Sequence, residues 1–265
     1  EGVQVIGNVP VVAIDNLPAK ISEIAARFYS RPSEKLTVIG ITGTKGKTSC
    51  SQFIAQALAE ANFKCGLIGT LGYGIYGDLK ETQLTTPDAV FTQMALAEMV
   101  VDGVDPVVME VSSVGLHQKR VKKVQFETAI FTNLTRDHLD YHGSMEAYAE
   151  NKKKLFTAKG LKHAIVNLDD PYALSIINSI AKGVEVSTYS INKSIATVHA
   201  EELSLNRHGF EARICTPIGS GIVKGRLIGY FNFSNLLAVT AALLSYLPAR
   251  KEVNIDELCQ GISNL

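Results

Sequence analysis

The sequence predicts an α/β domain with a mostly parallel sheet, helices on its faces and a small antiparallel β addition near the C-terminal third. Three observations predict it. From about Leu36 to Tyr189, short apolar runs alternate with segments of helical periodicity, the pattern of βαβ units whose crossovers cover both faces of a sheet. One of those runs feeds directly into a glycine-rich turn, Gly43-Thr44-Lys45-Gly46-Lys47-Thr48-Ser49. After Tyr189 the texture changes to short alternating segments separated by Arg207-His208-Gly209 and Pro217-Ile218-Gly219-Ser220-Gly221, the turn chemistry of hairpins.

Taken in order, the expected strands are Leu36 to Ile41, Cys65 to Thr70, Val107 to Val111, Ala129 to Asn133, Ala164 to Asn167 and Val184 to Tyr189. Helical patterns lie between several of them, at Lys47 to Ala61, Ala89 to Asp102, Met145 to Phe156 and Pro171 to Ala181. The antiparallel segments are Ala196 to Leu205, Phe210 to Cys215 and Ile222 to Leu227, followed by helices at about Asn232 to Tyr246 and near Ile255 to Ile262. Ligands of such sheets bind at the carboxyl ends of the strands, and the motifs below follow strands.

A chain of 265 residues buries one large core, or one core plus a small appendage. Its 26 Lys plus Arg balance 26 Asp plus Glu, so charge gives no reason to expect nucleic acid or an anionic membrane as partner. Neither a basic segment followed by an apolar stretch at Glu1-Gly2-Val3-Gln4 nor an apolar run longer than a strand is visible, and a cytoplasmic location is expected. Cys50, Cys65, Cys215 and Cys259 are scattered without the paired spacing of zinc or redox motifs and read as reduced, structural thiols.

The turn after Val38-Ile39-Gly40-Ile41-Thr42 has the parts of a phosphate cradle. Glycines let backbone N–H groups crowd around a polyphosphate, and the helix that follows presents its positive end to the same anion. Lys47 is placed to reach terminal phosphates and Thr48 to offer a hydroxyl to Mg²⁺. The strict pattern is not met, because its first glycine position falls on Ile41. Two further constellations follow strands. Glu110 ends Val108-Met109-Glu110, a carboxylate suited to Mg²⁺ beside a cradle, and Asp137-His138-Leu139-Asp140-Tyr141-His142 crowds two acids and two histidines. His138 is the candidate metal ligand there, its tautomer fixed by a nearby carboxylate.

Five ordered motifs carry a resemblance to the Mur ligases of peptidoglycan synthesis: GTKGKTS at Gly43 to Ser49, TTPD at Thr85 to Asp88, EVSSVGLHQKR at Glu110 to Arg120, TNLTRDHLDYHG at Thr132 to Gly143, and GYFNFSNLLA at Gly229 to Ala238. The resemblance implies a P-loop NTPase-like central domain and an ATP- and Mg²⁺-dependent acid–amino-acid ligase. The TTPD and DHLDYHG versions point to the member that adds the third stem-peptide residue to UDP-MurNAc-L-Ala-D-Glu, with meso-diaminopimelate favoured over L-lysine by analogy. It further implies that Gly43, Thr44, Lys45, Gly46, Lys47, Thr48 and Ser49 hold the phosphates, and that Asn232 and Asn235 lie on the adenine side. Thr85, Thr86, Ser112, Gln118 and Arg120 are similar to the residues that grip the UDP-sugar dipeptide. Thr48 belongs to one Mg²⁺ site, and Glu110 and His138 to a second. Lys152 matches the lysine that the family carbamylates to N6-carboxylysine, an anionic oxygen ligand, though Lys153 and Lys154 beside it leave the register open by one residue.

The chemistry so implied is activation of the D-glutamate γ-carboxylate by ATP to an acyl phosphate, attack by the incoming amine and expulsion of phosphate. Lys45 and Val114 stand where relatives commonly carry Asn and His. By the same resemblance, residues 1–33 correspond to the tail of an N-terminal UDP-binding domain and a linker, residues 34–265 to the central ATP-binding domain, and a C-terminal amino-acid-binding domain is absent. A monomer that ligates little by itself is therefore expected. Two other readings remain at this level, a folylpolyglutamate synthetase-like ligase and a non-catalytic nucleotide-binding module.

Overall fold

The structure is a computed structural model that describes residues 3–265; residues 1–2 of the expected N-terminal tail lie outside the described residues. The chain begins with a hairpin of β1 (Val3–Ile6) and β2 (Val9–Val12) and the helix α1 (Leu17–Phe28). The alternating part then runs β3 (Val38–Thr42), α2 (Lys47–Glu60), β4 (Gly66–Gly69), β5 (Gly72–Ile75), β6 (Asp78–Lys80), α3 (Ala89–Val101), β7 (Val107–Glu110), α4 (Ser113–His117), β8 (Thr128–Phe131), α5 (Leu139–His142), α6 (Met145–Phe156), β9 (His163–Asn167), α7 (Ala173–Ile177) and β10 (Glu185–Ser190). It ends with β11 (Val198–Asn206), β12 (Gly209–Thr216), β13 (Gly219–Gly225), α8 (Tyr230–Tyr246) and α9 (Ile255–Ser263).

Beside the two-stranded β1–β2 sheet, one sheet of eleven strands runs in the order β13-β12-β11-β10-β9-β8-β3-β7-β4-β5-β6. Its centre is parallel, as the alternation predicts. β3 lies between β7 and β8, with Ile41 opposite both Glu110 and Ile130, so the three strands end at one level beneath the glycine-rich turn. That register delivers Glu110 and Thr132 to the two sides of the turn.

The central strands are fully buried because each feeds two cores. Ile39, Ile41, Val108, Ile130 and Ile165 point to one face, where α2 and α8 pack. Val38, Val107, Met109, Ala129, Phe131 and Val166 point to the other, with residues of α3 and α6. A strand buried on both faces reads as a continuous apolar run, which is how these appear in the sequence. The helix α8 is apolar around nearly its whole circumference, since it lies against α2 and strands β8 to β11. With the turn that follows it, it is long and apolar enough to cross a membrane by composition, yet two-thirds of its most apolar window is buried within the domain.

The antiparallel segments are not a separate unit. Parallel pairing of Tyr189 with Val198 and of Ser190 with His199 splices β11 to β10, so the meander β11–β12–β13 continues the main sheet. At the opposite edge the hairpin β5–β6 extends β4 and has no counterpart in the sequence reading, because glycines at 69, 72, 74 and 77 dilute its alternation. The helix expected over Pro171 to Ala181 is only Ala173–Ile177. Asp170 takes the Tyr172 N–H at its start, and Ser179 and Ile180 close single turns onto Ile176 and Ile177 at its end.

Gly40 sits within β3 without a turn to explain it. A Cβ there would lie 2.7 Å from Phe126 Cδ1 and 3.1 Å from a Leu155 methyl, so the ring of Phe126 occupies the space of the missing side chain. Gly40→Val is expected to lower stability by about 1–3 kcal/mol in urea unfolding, the cost of overpacking, and Phe126→Leu in the same chain to recover part of the loss.

Candidate active site

The turn between β3 and α2 is held in shape from the neighbouring strand. Asn133, just beyond β8, clamps Lys45 reciprocally: the Lys45 N–H donates to Asn133 Oδ1 at 3.0 Å, and Asn133 Nδ2 donates to the Lys45 carbonyl at 3.0 Å. Thr132 Oγ1 donates to the same carbonyl at 2.6 Å, and the Thr44 N–H donates to the Asn133 carbonyl at 2.9 Å. Gly46 closes the turn at φ +86°, where a Cβ would fall 2.4 Å from Asn235 Oδ1. Both the backbone and the asparagine therefore require glycine.

The start of α2 is consequently open. It has no side-chain cap, and among the described residues the N–H groups of Gly46, Lys47, Thr48 and Ser49 make no hydrogen bond. The first helical bond runs from the Cys50 N–H to the Gly46 carbonyl. Unpaired N–H groups at the positive end of a fourteen-residue helix suit an anion. Lys47 folds back over the turn, with Nζ donating to the carbonyls of Gly43 at 2.8 Å and Thr44 at 3.0 Å. A third ammonium donor is left for a ligand. Burial lowers the Lys47 pKa, against the opposing pull of Glu110 and Asp137.

Glu110, only 1 % exposed, is fixed on the other side. Its Oε1 accepts the Thr70 N–H at 2.8 Å, and its Oε2 accepts the hydroxyls of Thr48 at 2.9 Å and Thr70 at 3.1 Å. Thr85 Oγ1 continues the chain of hydroxyls, 3.1 Å from that of Thr70. Hard oxygen donors of this kind, beside a cradle, fit a Mg²⁺ that keeps part of its water shell.

The opposite wall is the helix α6, started by the Ser144 hydroxyl accepting from the Ala147 N–H at 3.1 Å. Lys152 points inward and is 1 % exposed, whereas Lys153 pairs with Glu150 and Lys154 with Asn151. The Lys152 ammonium makes no hydrogen bond or ion pair among the described residues and lies 4.5 Å over the Tyr148 ring. Burial first, and then the Lys47 cation, push its pKa well below the ordinary lysine range. Tyr148 in turn joins this wall to the cradle, its hydroxyl 3.2 Å from Thr44 Oγ1.

The remaining expected residues divide into those that reach the site and those spent on its frame. Thr86 is buried, with its hydroxyl donating to the Glu110 carbonyl at 3.0 Å and accepting the Ser112 N–H at 2.9 Å. Ser112 caps α4 by accepting the Gly115 N–H, and Arg120 donates to the Thr86 carbonyl at 2.7 Å and to Gln118 Oε1. These form one connected wall below Glu110. Asn235 is buried against Gly46, while Asn232, one turn earlier, donates to the Ile228 carbonyl at 3.0 Å. His138 stands apart: more than half its side chain is exposed, its nearest acid is the adjacent Asp137 at 3.8 Å, and no hydrogen bond joins it to Glu110. Asp137 reaches further, its charge acting on both Lys47 and Lys152. Sequence reasoning did not single out Asn133, Thr70, Tyr148 or Asp137 as site residues. For Asn133 and Asp137 the available signal was their place just after a strand within a quoted motif.

The sequence profile described as the Mur ligase middle domain matches residues 41–243. A UDP-N-acetylmuramoyl-L-alanyl-D-glutamate–2,6-diaminopimelate ligase of Pseudomonas aeruginosa is 48 % identical over 235 residues, covering 89 % of this chain and 48 % of that protein. The enzyme of the same name from Coxiella burnetii is 48 % identical over 239 residues, covering 89 % and 49 %. A solved structure of such a ligase superposes with a TM-score of 0.84 at 32 % identity, over 96 % of this chain and 52 % of that one. The chain thus spans about half the length of the curated relatives it matches.

Lys152 supplies a stability test of the site. Its folded pKa is lowered, so between that value and the unfolded value near 10.4 the unfolded state holds a proton that the folded state does not, and stability rises with pH. Lys152→Met is expected to raise the melting temperature at neutral pH in carbon dioxide-free buffer. The gain should shrink by up to about 1.4 kcal/mol per pH unit as pH climbs towards 10.4. A gain that does not change with pH would mean that the lysine keeps its proton in the folded state and that its pKa is not lowered.

Proposed function

This chain belongs to the Mur ligase family. On that premise we propose that residues 34–265 form the central, ATP-binding domain of an ATP-dependent amide ligase acting as a cytoplasmic monomer. It would join meso-diaminopimelate to the D-glutamate γ-carboxylate of UDP-MurNAc-L-Ala-D-Glu. The observation that carries the reading is the buried, unpaired Lys152 ammonium next to Lys47 and the open end of α2. A neutral amine reacts with carbon dioxide, a cation does not, and the Lys47 charge that disfavours protonation of Lys152 favours the carbamate anion that replaces it.

In this reading Mg²⁺, when bound, offsets the repulsion between the nucleotide phosphates and the carboxylate to be activated. The chain's own groups do the holding. The N–H groups of the cradle and the Lys47 ammonium bind the terminal phosphates. Thr48 offers an oxygen to one ion; Glu110, expected from the resemblance to share the second ion with His138, is hydrogen-bonded to Thr48 and offers its oxygens there instead, and a carbamate on Lys152 offers oxygens to the second. His138 would have to swing inward to join it, which an exposed ring at a turn is free to do. Thr85 and Arg120 border the open side of the Glu110 wall and are the groups placed to meet the substrate's anionic peptide. Asn235 sets the depth of the nucleotide by its contact with Gly46.

The decisive experiment is phosphate release by the whole enzyme that carries this domain, given ATP, Mg²⁺, UDP-MurNAc-L-Ala-D-Glu and either meso-diaminopimelate or L-lysine. Release that requires the UDP-peptide and is faster with meso-diaminopimelate is expected. Release indifferent to that peptide would overturn the assignment. Lys47→Ala is expected to lower the rate at least about a hundredfold, the scale of losing one preorganised donor to developing charge. With ¹³C-bicarbonate, a carbamate resonance should appear in the wild-type protein and vanish in Lys152→Arg, while Lys153→Arg retains it.

A further inference from the structure

The meander at the edge of the main sheet carries a second cluster of ligating groups. His199 on β11 pairs directly with Cys215 on β12, and Glu201 follows two residues along β11. Strand alternation therefore puts all three side chains on one face. The other face belongs to the core, where Val198, Ala212 and Ile214 are buried. One ring nitrogen of His199, one carboxylate oxygen of Glu201 and the Cys215 sulfur all lie within 4.8 Å of one another.

A second observation fixes the imidazole. Its Nδ1 is 3.0 Å from the Ala196 carbonyl oxygen, which only accepts, so Nδ1 carries the hydrogen and donates it. The Nε2 lone pair then faces Glu201 Oε1 at 3.8 Å. A lone pair, a carboxylate and a thiol converge with no donor between the first two. Metal-bound histidines are oriented in this way, one nitrogen on a backbone carbonyl and the other on the ion.

We propose that His199, Glu201 and Cys215 form a Zn²⁺ site, with water as the fourth ligand. Zinc, a borderline ion, accepts imidazole, carboxylate and thiolate together in a tetrahedron, whereas Mg²⁺ and Ca²⁺ prefer all-oxygen sets. Bonds of about 2.0–2.3 Å place tetrahedral ligands about 3.4 Å apart. Glu201, half exposed, is free to close the remaining distance. Partial burial, and then the Glu201 carboxylate, push the Cys215 thiol pKa up, and a bound dication reverses that balance. On binding, sulfur forms its bond to zinc and the thiol proton leaves to solvent, with no change of oxidation state.

The ion would act as a cross-strand staple. His199 also pairs with Ser190, the last splice between the parallel sheet and the meander, and the β11–β12 register shifts just after Glu201. A ligand set spanning β11 and β12 at this joint would lock the register before the irregularity.

The test is titration of the protein with Co²⁺, whose bond to a thiolate gives a charge-transfer band in the near ultraviolet. One Co²⁺ per chain with that band, displaced by Zn²⁺, is expected. Cys215→Ser should abolish the band and His199→Gln should weaken binding about tenfold or more. Both variants should keep their melting temperatures without metal, since all three side chains lie on the outer face. A thiolate band that survives Cys215→Ser, or the absence of any such band in the wild-type protein, overturns the proposal. If Cys215→Ser fails to fold, the shift of the Co²⁺ titration in His199→Gln decides in its place: an unshifted titration overturns the proposal, because Co²⁺ held by another cysteine would be indifferent to that ring.

Discussion

The reciprocal clamp between Asn133 and Lys45 is the contact on which the site depends. A phosphate-binding turn must keep its N–H groups unpaired and pointing outward, so it cannot be held by its own backbone bonds. Here the Lys45 carbonyl and the N–H groups of Thr44 and Lys45 on the back of the turn are taken by Asn133 and Thr132, which sit at the end of the adjacent parallel strand. Those bonds cost the front nothing and leave the first turn of α2 free. The clamp in turn depends on register. With Thr42 opposite Phe131, the next residues of the two strands meet at the turn, and a slip of one position would exchange Thr132 for a residue facing the other side of the sheet.

Around that frame, charge is arranged in opposition. Glu110 is buried but hydrogen-bonded, its two oxygens taking three hydrogen bonds from Thr48 and Thr70. Lys47 is satisfied by two carbonyls and still has a donor to give. Lys152 alone is buried with only an aromatic face beneath it. A buried ammonium without a partner destabilises the empty fold, and proteins retain such groups where a ligand or a modification resolves the conflict. The lowered pKa relieves the repulsion between Lys47 and Lys152 by releasing the Lys152 proton.

Much of this was legible in the sequence. The parallel strands are apolar runs of the right length, and the cradle announces itself by lysine, hydroxyl and helix in succession. Glu110 was legible through its motif, whereas the lysine register was open by one residue until the structure showed Lys152 buried and Lys153 and Lys154 paired outside. What escaped notice has a common cause. Asn133 acts through bonds to the backbone of the turn at Lys45 and Thr70 through bonds to the Glu110 carboxylate, both far away in sequence, and an Asn or Thr after a strand looks like any turn residue. Thr86 carries a motif yet spends its hydroxyl on the Glu110 carbonyl, so motif membership does not separate a residue that meets the ligand from one that holds the wall. The His199–Cys215 pair is invisible for the same reason: sixteen residues of separation match no metal-ligand spacing, and only the β11–β12 register makes them neighbours.

The two ends of the sheet are joined through one core. α8 packs on α2 and on strands β8 to β11, and its first turns bring Asn235 against Gly46. The helix is buried nearly all round, so it cannot shift at one end without disturbing contacts at the other. The meander and the turn before α2 are therefore packed against opposite ends of one helix. The antiparallel edge then serves as more than an appendage. It supplies the far anchor of the helix whose near end brings Asn235 against Gly46.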